Sequence, residues 1–280
     1  MEGIVKRVGY NLTQSELREV QMIEVELLVE VDRICRKCGI HYCISAGTQL
    51  GAIRHKGFIP WDDDADVAFL RSEYEKFRNA CKKELDSTRF YFQDYRNTPG
   101  YRWGYGKLRR KDTKFIRLGQ EHMPYAQGIF IDIMPYDNVP DGYLARKVHN
   151  FQCFIYRKCF WAPIGKQQET GIKRLIYKLL DKIPDKKIYM SFTKFIYKCN
   201  QRETKRIRIF SFPVPGHENG YLRECFENVL PTEFEGVQLM GMKDFNTYLS
   251  YKYGNYMELP PIEKRKVHPI SELKLLSITH

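Results

Sequence analysis

The segment WDDDADVAFL, residues 61–70, joins four carboxylates to an apolar β-strand pattern. Residues 65–70 are predicted as a strand, and because side chains alternate along a strand, Asp64 and Asp66 point to one face. Two side chains in this arrangement stand roughly 6.6 Å apart, so they can clamp one hard divalent cation or share two. Since Mg²⁺ prefers one or two carboxylates together with phosphate oxygens, the fold has to leave space for a substrate beside this pair.

A third carboxylate lies inside the apolar run GIFIDIMPYD, where Asp132 stands between Ile131 and Ile133. A charged group in the middle of a buried strand is unfavourable unless it is paired or binds a metal. We therefore expect Asp132 to join Asp64 and Asp66 from a neighbouring strand, and the three acids to hold Mg²⁺ or Mn²⁺. The alternative for Asp132 is a structural salt bridge.

The acidic segment could instead be a solvated loop or a calcium-binding turn, although it lacks the spacing of an EF-hand. A predicted turn at Gly47 and Thr48 favours the metal site, because a small residue lets backbone N–H groups approach a phosphate. Arg54, His55 and Lys56 lie between this turn and the carboxylates, where they could hold phosphates. Ordinary surface charge is the alternative for these three residues.

A second basic group lies in YGKLRRKDTKF. Lys107 and Arg109 share a face if this segment is a strand, and Arg can then grip a phosphate with two hydrogen bonds while Lys adds a point charge. A solvated strand edge would show the same pattern.

Local signals divide the chain into helices and strands. TQSE, residues 13–16, is a capping box, and the apolar stripe that follows predicts a helix ending at Gly39. Ser72 and Glu75 predict the cap of another helix, which runs to about Leu85. A short helix is predicted after the Gly47–Thr48 turn, to about residue 54, and further helices over 143–160, 172–183, 186–201 and 243–253. Strands are predicted over 41–45, 65–70, 89–95, 105–110, 114–117, 128–136, 207–212 and 237–240. Strands interleaved with helices indicate an α/β or α+β protein.

The character of the chain changes beyond Pro140, where it becomes helical and basic. We predict a catalytic core in residues 1–140, a basic helical subdomain in 141–205, and a segment in 206–280 that returns to the core. The formal net charge is +12, and residues 166–208 carry 13 Lys and Arg against 4 Asp and Glu. This surplus indicates a polyanionic partner: nucleic acid, acidic glycan or anionic lipid.

The sequence begins without an apolar leader, and no window offers the roughly 18 apolar residues that a spanning helix needs. We therefore predict a cytoplasmic protein. Any contact with the cell membrane should be peripheral and at its inner face. The segment GIKRLIYKLLDKI places six apolar residues on one helical face, which is typical of interfacial helices. The alternative is a helix that packs on its own domain and exposes a basic face.

The eight cysteines, which form no dense framework, indicate reduced thiols.

Residues 47–69, GTQLGAIRHKGFIPWDDDADVAF, closely resemble the signature of the LicD family, the phosphotransferases to which fukutin and fukutin-related protein are also related. The segments KLRRKDTKF, GIFIDIMPYDNVP and EFEGVQLMGMKDFNTYLSYKYGNYMELPPIEKRKVH resemble later blocks of that family in the same order. The resemblance covers about residues 19–268, apart from a divergent helical middle. Gln49 and Ala65 depart from the usual Leu and Ile, and neither position is a ligand.

The resemblance implies a nucleotidyltransferase-like fold, an α+β mixed sheet flanked by helices. Gly47 and Thr48 then match the glycine turn, Asp64 and Asp66 the metal-binding pair, and Asp132 the third carboxylate. The resemblance also implies a CDP-alcohol donor such as CDP-choline, with CMP as product. The implied acceptor is a glycan or lipid-linked precursor of a capsule or teichoic acid type, and no nucleic acid partner is implied.

The residues leave three points open. An Asp of the cluster or His55 could accept the proton of the sugar hydroxyl. If the donor is CDP-choline, an aromatic cage should hold the quaternary ammonium, with Trp61, Trp103 and the tyrosines as candidates. The alternative functions are a nucleotidyltransferase that moves NMP to a small acceptor and a non-catalytic polyanion-binding protein.

Overall fold

A computed structural model describes residues 9–265 and 268–276. In this part of the chain the helices are α1 (Gln14–Cys38), α2 (Ala46–His55), α3 (Arg71–Glu84), α4 (Tyr143–Gln168), α5 (Gly171–Asp181), α6 (Asp185–Cys199), α7 (Glu224–Glu227) and α8 (Phe245–Tyr253), with a 3-10 turn at Ile262–Lys264. The strands are β1 (Cys43–Ile44), β2 (Asp66–Leu70), β3 (Phe90–Gln93), β4 (Gly106–Arg110), β5 (Lys114–Arg117), β6 (Phe130–Val139), β7 (Arg206–Arg208), β8 (Tyr221–Leu222), β9 (Val229–Phe234), β10 (Val237–Met242) and β11 (Ile270–Lys274). The predicted α+β class is confirmed.

The main sheet has the order β1-β2-β6-β4-β3, and β7 and β8 extend it from the far end of β6. Strands β2 and β6 run parallel, whereas the other pairs in this sheet are antiparallel. All ten residues of β6 are buried, because it lies between β2 and β4 and then pairs with β7. Two small antiparallel pairs, β9 with β10 and β5 with β11, complete the strands of the described residues.

Helix α1 forms as its sequence signals predict. The side chain of Thr13 accepts the N–H of Glu16, the Glu16 carboxylate accepts the backbone N–H of Thr13, and Gly39 ends the helix in the left-handed conformation with φ 62°. Leu27, Val31 and others on its apolar stripe are buried against the sheet. The local sequence and the tertiary packing therefore agree along this helix.

The start of α3 differs from the prediction. The expected cap from Ser72 is wrong, because the helix begins at Arg71 with Leu70 at the N-cap position and no side-chain cap. The guanidinium of Arg71 instead donates to both carboxylate oxygens of Asp137 on β6, at 2.7 and 2.6 Å. A buried bidentate ion pair to the central strand thus fixes where this helix starts.

Helix α4 also differs, because it continues through Pro163 to Gln168 instead of ending near Phe160. Ala162 and Ile164, on either side of the proline, are fully buried. Tertiary packing therefore outweighs the local unfavourable effect of the proline. The strands β8, β9 and β11 were not predicted: β8 has two residues, β11 pairs with the distant β5, and β9 forms a hairpin with the neighbouring β10.

The three basic helices α4, α5 and α6 lie between β6 and β7 in the chain. Phe160 and Phe192 from these helices pack with Val139 of β6 and with Phe210. The division at residues 140 and 205 stays a prediction, and residues 1–8 and 277–280 of its outer segments lie outside the described residues. No helix among the described residues is long and apolar enough to cross a bilayer. The eight cysteines are free thiols.

Candidate active site

Parallel pairing of β2 with β6 places Asp66 directly beside Asp132 in the sheet register. The backbone N–H of Asp132 also donates to the carbonyl of Ala65 at 2.8 Å, which holds the acidic segment against β6. The strand begins at Asp66, one residue later than predicted, so Asp64 belongs to the preceding loop. The predicted neighbouring strands therefore exist, and they carry two of the three predicted acids side by side.

A cavity of about 270 Å³ lies next to these strands. Its polar wall holds two of the acids together with basic and amide side chains: Asp64, Asp132, Lys107, Arg109, Arg117, His268, Gln120 and Gln127. Its apolar wall is aromatic and consists of Trp103, Tyr105, Phe115, Phe130, Trp161 and Phe212. This volume is close to the lower end of the range for small-molecule sites.

Basic side chains pair with the acids inside this cavity. Lys107 bonds to Asp132, and its ammonium group lies 3.3 Å from the ring centroid of Phe130. Burial lowers the pKa of Lys107 from 10.5 to about 8. Arg117, on β5, donates to Asp64 at 3.2 Å, and Arg109 donates to the Gln93 side chain and to the Gly128 carbonyl. Lys107 and Arg109 thus lie in the cavity, as a phosphate-binding role requires.

The negative charge at the site exceeds what these partners neutralise. Burial, followed by the charge of Asp64, raises the pKa of Asp66 and that of Asp62 well above the usual range. The same two causes raise the pKa of Glu24, which reaches the cluster from α1. Burial also raises the pKa of Asp64, against the opposing effect of Arg117. These carboxylates repel one another in a region with little water.

Two carboxylate oxygens at this cluster, Oε2 of Glu24 and Oδ2 of Asp63, are buried without a hydrogen-bond partner. Oδ2 of Asp63 is 3.7 Å from Arg117, which is too far for a hydrogen bond. Unpartnered oxygens and mutual repulsion are what a hard divalent cation relieves, so the donor set fits Mg²⁺ or Mn²⁺.

The possible metal ligands that lie closest together are not the three acids predicted from the sequence. In residues 9–265 and 268–276, the three side chains with ligand atoms within 4.8 Å of one another are Asp63, Asp64 and His268. Asp64, Asp66 and Asp132 do not form such a group among the described residues, and two of them are paired with cations: Asp132 with Lys107 and Asp64 with Arg117. The assignment of Asp64, Asp66 and Asp132 as metal ligands therefore stays a prediction.

Gly47 and Thr48 lie in the first turn of α2 and contact the acidic segment, not the cavity. A side chain at Gly47 would meet Oδ2 of Asp62 at 2.6 Å, so glycine leaves space for that carboxylate at the amino terminus of the helix. The hydroxyl of Thr48 accepts the backbone N–H of Asp66 at 2.8 Å. Both residues thus position the acids, and their predicted phosphate contact stays a prediction.

The predicted basic trio of Arg54, His55 and Lys56 does not line the cavity. Arg54 donates to His55 and to the Tyr256 carbonyl. Lys56 is exposed at the end of α2, where its carbonyl accepts the N–H of Glu235. In the structure, the Arg54 side chain and the Lys56 carbonyl therefore connect the end of α2 to later segments of the chain, and His55 contacts Arg54.

Several residues at the site were not predicted from the sequence, among them Glu24, Arg117, His268 and Trp161. Glu24 carried a usable signal, since an acid within the apolar stripe of α1 raises the same question as Asp132. The other three reach the cavity from segments far apart in the chain, and nothing local distinguishes them from surface or core residues.

The chain is similar to several known proteins. The family described as "LicD/FKTN/FKRP, nucleotidyltransferase domain" matches residues 39–173. Lipopolysaccharide cholinephosphotransferase LicD of Haemophilus influenzae is 30% identical over 265 residues, which cover 93% of this chain and 98% of that protein. The uncharacterized protein RP689 of Rickettsia prowazekii is 32% identical over 77 residues, 21% of this chain and 29% of its own.

We predict that Asp66→Asn stabilises the protein in the presence of a chelator and weakens its response to metal. Removing one charge from the repelling cluster should raise the melting temperature in EDTA by roughly 2–4 °C. Millimolar Mg²⁺ should raise the melting temperature of the wild type clearly and that of the variant much less. Differential scanning fluorimetry measures both, with Asp141→Asn at an exposed position as control. An equal response of Asp66→Asn and wild type to Mg²⁺ would contradict a metal site at Asp66.

Proposed function

Because this chain belongs to the LicD family of phosphotransferases, we propose that it transfers phosphocholine from a CDP-activated donor to a glycan hydroxyl. The acceptor is a cell-surface glycan or its lipid-linked precursor, and CMP is released. The observation that carries this proposal is that charged and aromatic side chains line the same cavity. The charged wall suits a diphosphate, and the aromatic wall suits a quaternary ammonium.

The aromatic wall is assembled from separate parts of the chain. Trp103 and Tyr105 come from the segment that leads into β4, Trp161 from α4 and Phe212 from the segment after β7. Ring centroids are 5.8 Å apart for Trp103 and Trp161, and 6.2 Å apart for Tyr105 and Phe212. A choline group placed among these rings gains cation–π attraction that a neutral alcohol lacks. Trp61 instead lies under Arg265, at 4.3 Å, and does not line the cavity.

The charged wall supports binding of the donor phosphates. Lys107, Arg109 and Arg117 line the cavity and supply positive charge for the donor phosphates. A divalent cation held by Asp64, Asp66 and Asp132 would neutralise the charge that develops on the transferred phosphoryl group. Arg109, fixed by Gln93 and the Gly128 carbonyl, would keep its orientation while substrate binds.

We propose that His268 accepts the proton of the attacking hydroxyl. Its Nδ1 donates to Oδ1 of the buried Asp63 at 2.7 Å, and the ring lines the cavity. This bond leaves Nε2 to take the proton, and the Asp63 carboxylate then stabilises the imidazolium. We prefer His268 to His55, because Nε2 of His55 accepts a hydrogen bond from Arg54 outside the cavity.

The test of the function is a product assay with CDP-choline, CDP-ethanolamine, CDP-glycerol and CDP-ribitol, an acceptor glycan, and Mg²⁺ or Mn²⁺. We expect release of CMP with incorporation of phosphocholine into the glycan. Asp64→Asn should lower the rate by roughly 10²–10³-fold, whereas Asp141→Asn should not change it. Release of pyrophosphate in place of CMP would support nucleotidyl transfer, and full turnover by Asp64→Asn would exclude the proposed role of Asp64.

We predict that His268→Gln lowers kcat by roughly 10²–10⁴-fold with little change in the KM for the donor. Glutamine can keep a polar contact with Asp63, but it cannot take a proton. His41→Gln, an exposed histidine outside the cavity, is the control. Steady-state kinetics with CMP detection measure both parameters. If His268→Gln changes only KM, then His268 binds substrate and another group is the base.

We predict that Trp161→Leu discriminates between charged and neutral donors. Loss of one ring should raise the KM for CDP-choline by roughly threefold to thirtyfold. The KM for CDP-glycerol, where that donor is accepted at all, should change less. Tyr143→Leu, an exposed aromatic position on the same helix, serves as control. Equal effects of Trp161→Leu on both donors would contradict a cation–π role for this residue.

A further inference from the structure

Most of the apolar face of α5 is exposed, although Leu180 on the same face packs against the core. Ile172, Leu175, Ile176 and Leu179 are each 51–75% exposed, whereas Tyr177 on the opposite side is buried. Tyr177 packs near Gly165 of α4, and its hydroxyl accepts a hydrogen bond from Lys158. The alternative considered from sequence, a helix that buries its apolar face on its own domain, thus does not describe these four residues.

A second apolar stripe is exposed on the neighbouring helix. Leu144, Val148, Phe151 and Ile155 of α4 recur at intervals of three and four residues, and all four are exposed. The residues of α4 that pack into the core lie at other positions of the same turns, among them Cys153. The two exposed stripes together are called the α4–α5 surface. Eight large apolar side chains exposed on two helices that pack together are more than the scattered single ones of an ordinary protein surface, and they indicate an interaction site.

The charges on these two helices are almost all positive. They carry eight basic residues against one acid: Arg146, Lys147, Arg157, Lys158, Lys166, Lys173, Arg174 and Lys178 against Asp181. Asp181 is itself bonded to Lys166 and Arg102. An anionic partner is therefore favoured on electrostatic grounds.

We propose that the α4–α5 surface docks this protein on an anionic bilayer, with both helices lying at the level of the headgroups. Apolar side chains with cations around them are the arrangement that interfacial helices use: the apolar face enters the boundary of the acyl chains, and the cations contact the headgroups. A second copy of the chain is a poorer partner, because a two-fold contact through this surface would bring basic helices together.

The test is co-sedimentation of the full chain with vesicles of phosphatidylglycerol and phosphatidylcholine, and with vesicles of phosphatidylcholine alone. We expect binding to the anionic vesicles that weakens as salt is raised. The double variant Leu175→Gln/Leu179→Gln should bind at least about tenfold more weakly. The matched control is Met257→Gln/Ile262→Gln, which removes two similarly exposed apolar side chains elsewhere. All four substituted positions are more than half exposed, so circular dichroism should show the same fold for every protein.

Three outcomes would overturn the proposal. The first is no sedimentation of the wild type with anionic vesicles at low salt. The second is an equal loss of binding in the double variant and in the matched control. The third, from analytical ultracentrifugation without lipid, is a wild-type dimer that the Leu175→Gln/Leu179→Gln substitution dissociates, which would assign the surface to a second copy. None of these outcomes depends on the reaction that the enzyme catalyses.

Discussion

The parallel pairing of β2 with β6 places two carboxylates side by side, and the neighbouring structure is arranged around that placement. Asp66 and Asp132 are direct neighbours in the sheet, and Asp64 lies just before the strand. Charges this close and this buried oppose folding unless something positive lies among them. Lys107 and Arg117 supply part of that charge. The unpartnered oxygens of Glu24 and Asp63 indicate that more is needed, which is our main argument for a divalent cation.

Elements distant in the chain serve this one centre. The amino-terminal turn of α2 holds Asp62 and the start of β2 through Gly47 and Thr48. The C-terminal segment brings His268 to Asp63. Helix α4 contributes Trp161 to the aromatic wall and also carries an exposed apolar stripe. In our proposals, one helix therefore contacts both the substrate cavity and the membrane surface.

Much of the fold followed from local signals, since α1, the central strands and the three basic helices form close to their predicted positions. The errors have tertiary causes. Helix α3 starts at Arg71 because of an ion pair with Asp137, and α4 passes Pro163 because the residues around the proline are buried. Strand β11 forms only by pairing with β5, more than a hundred residues earlier in the chain. A local pattern contains no information about such partners.

The sequence by itself identified the carboxylates of the site and the family to which the chain belongs. A carboxylate inside an apolar strand has few stable environments, so Asp66 and Asp132 could be expected to meet, and the LicD signature followed from residues that stand together in the chain. Only the tertiary structure decided which histidine faces the cavity, that Trp161 joins the aromatic wall, and that most of the apolar face of α5 is exposed. Helical periodicity shows that an apolar face exists, but what covers it depends on contacts between distant segments.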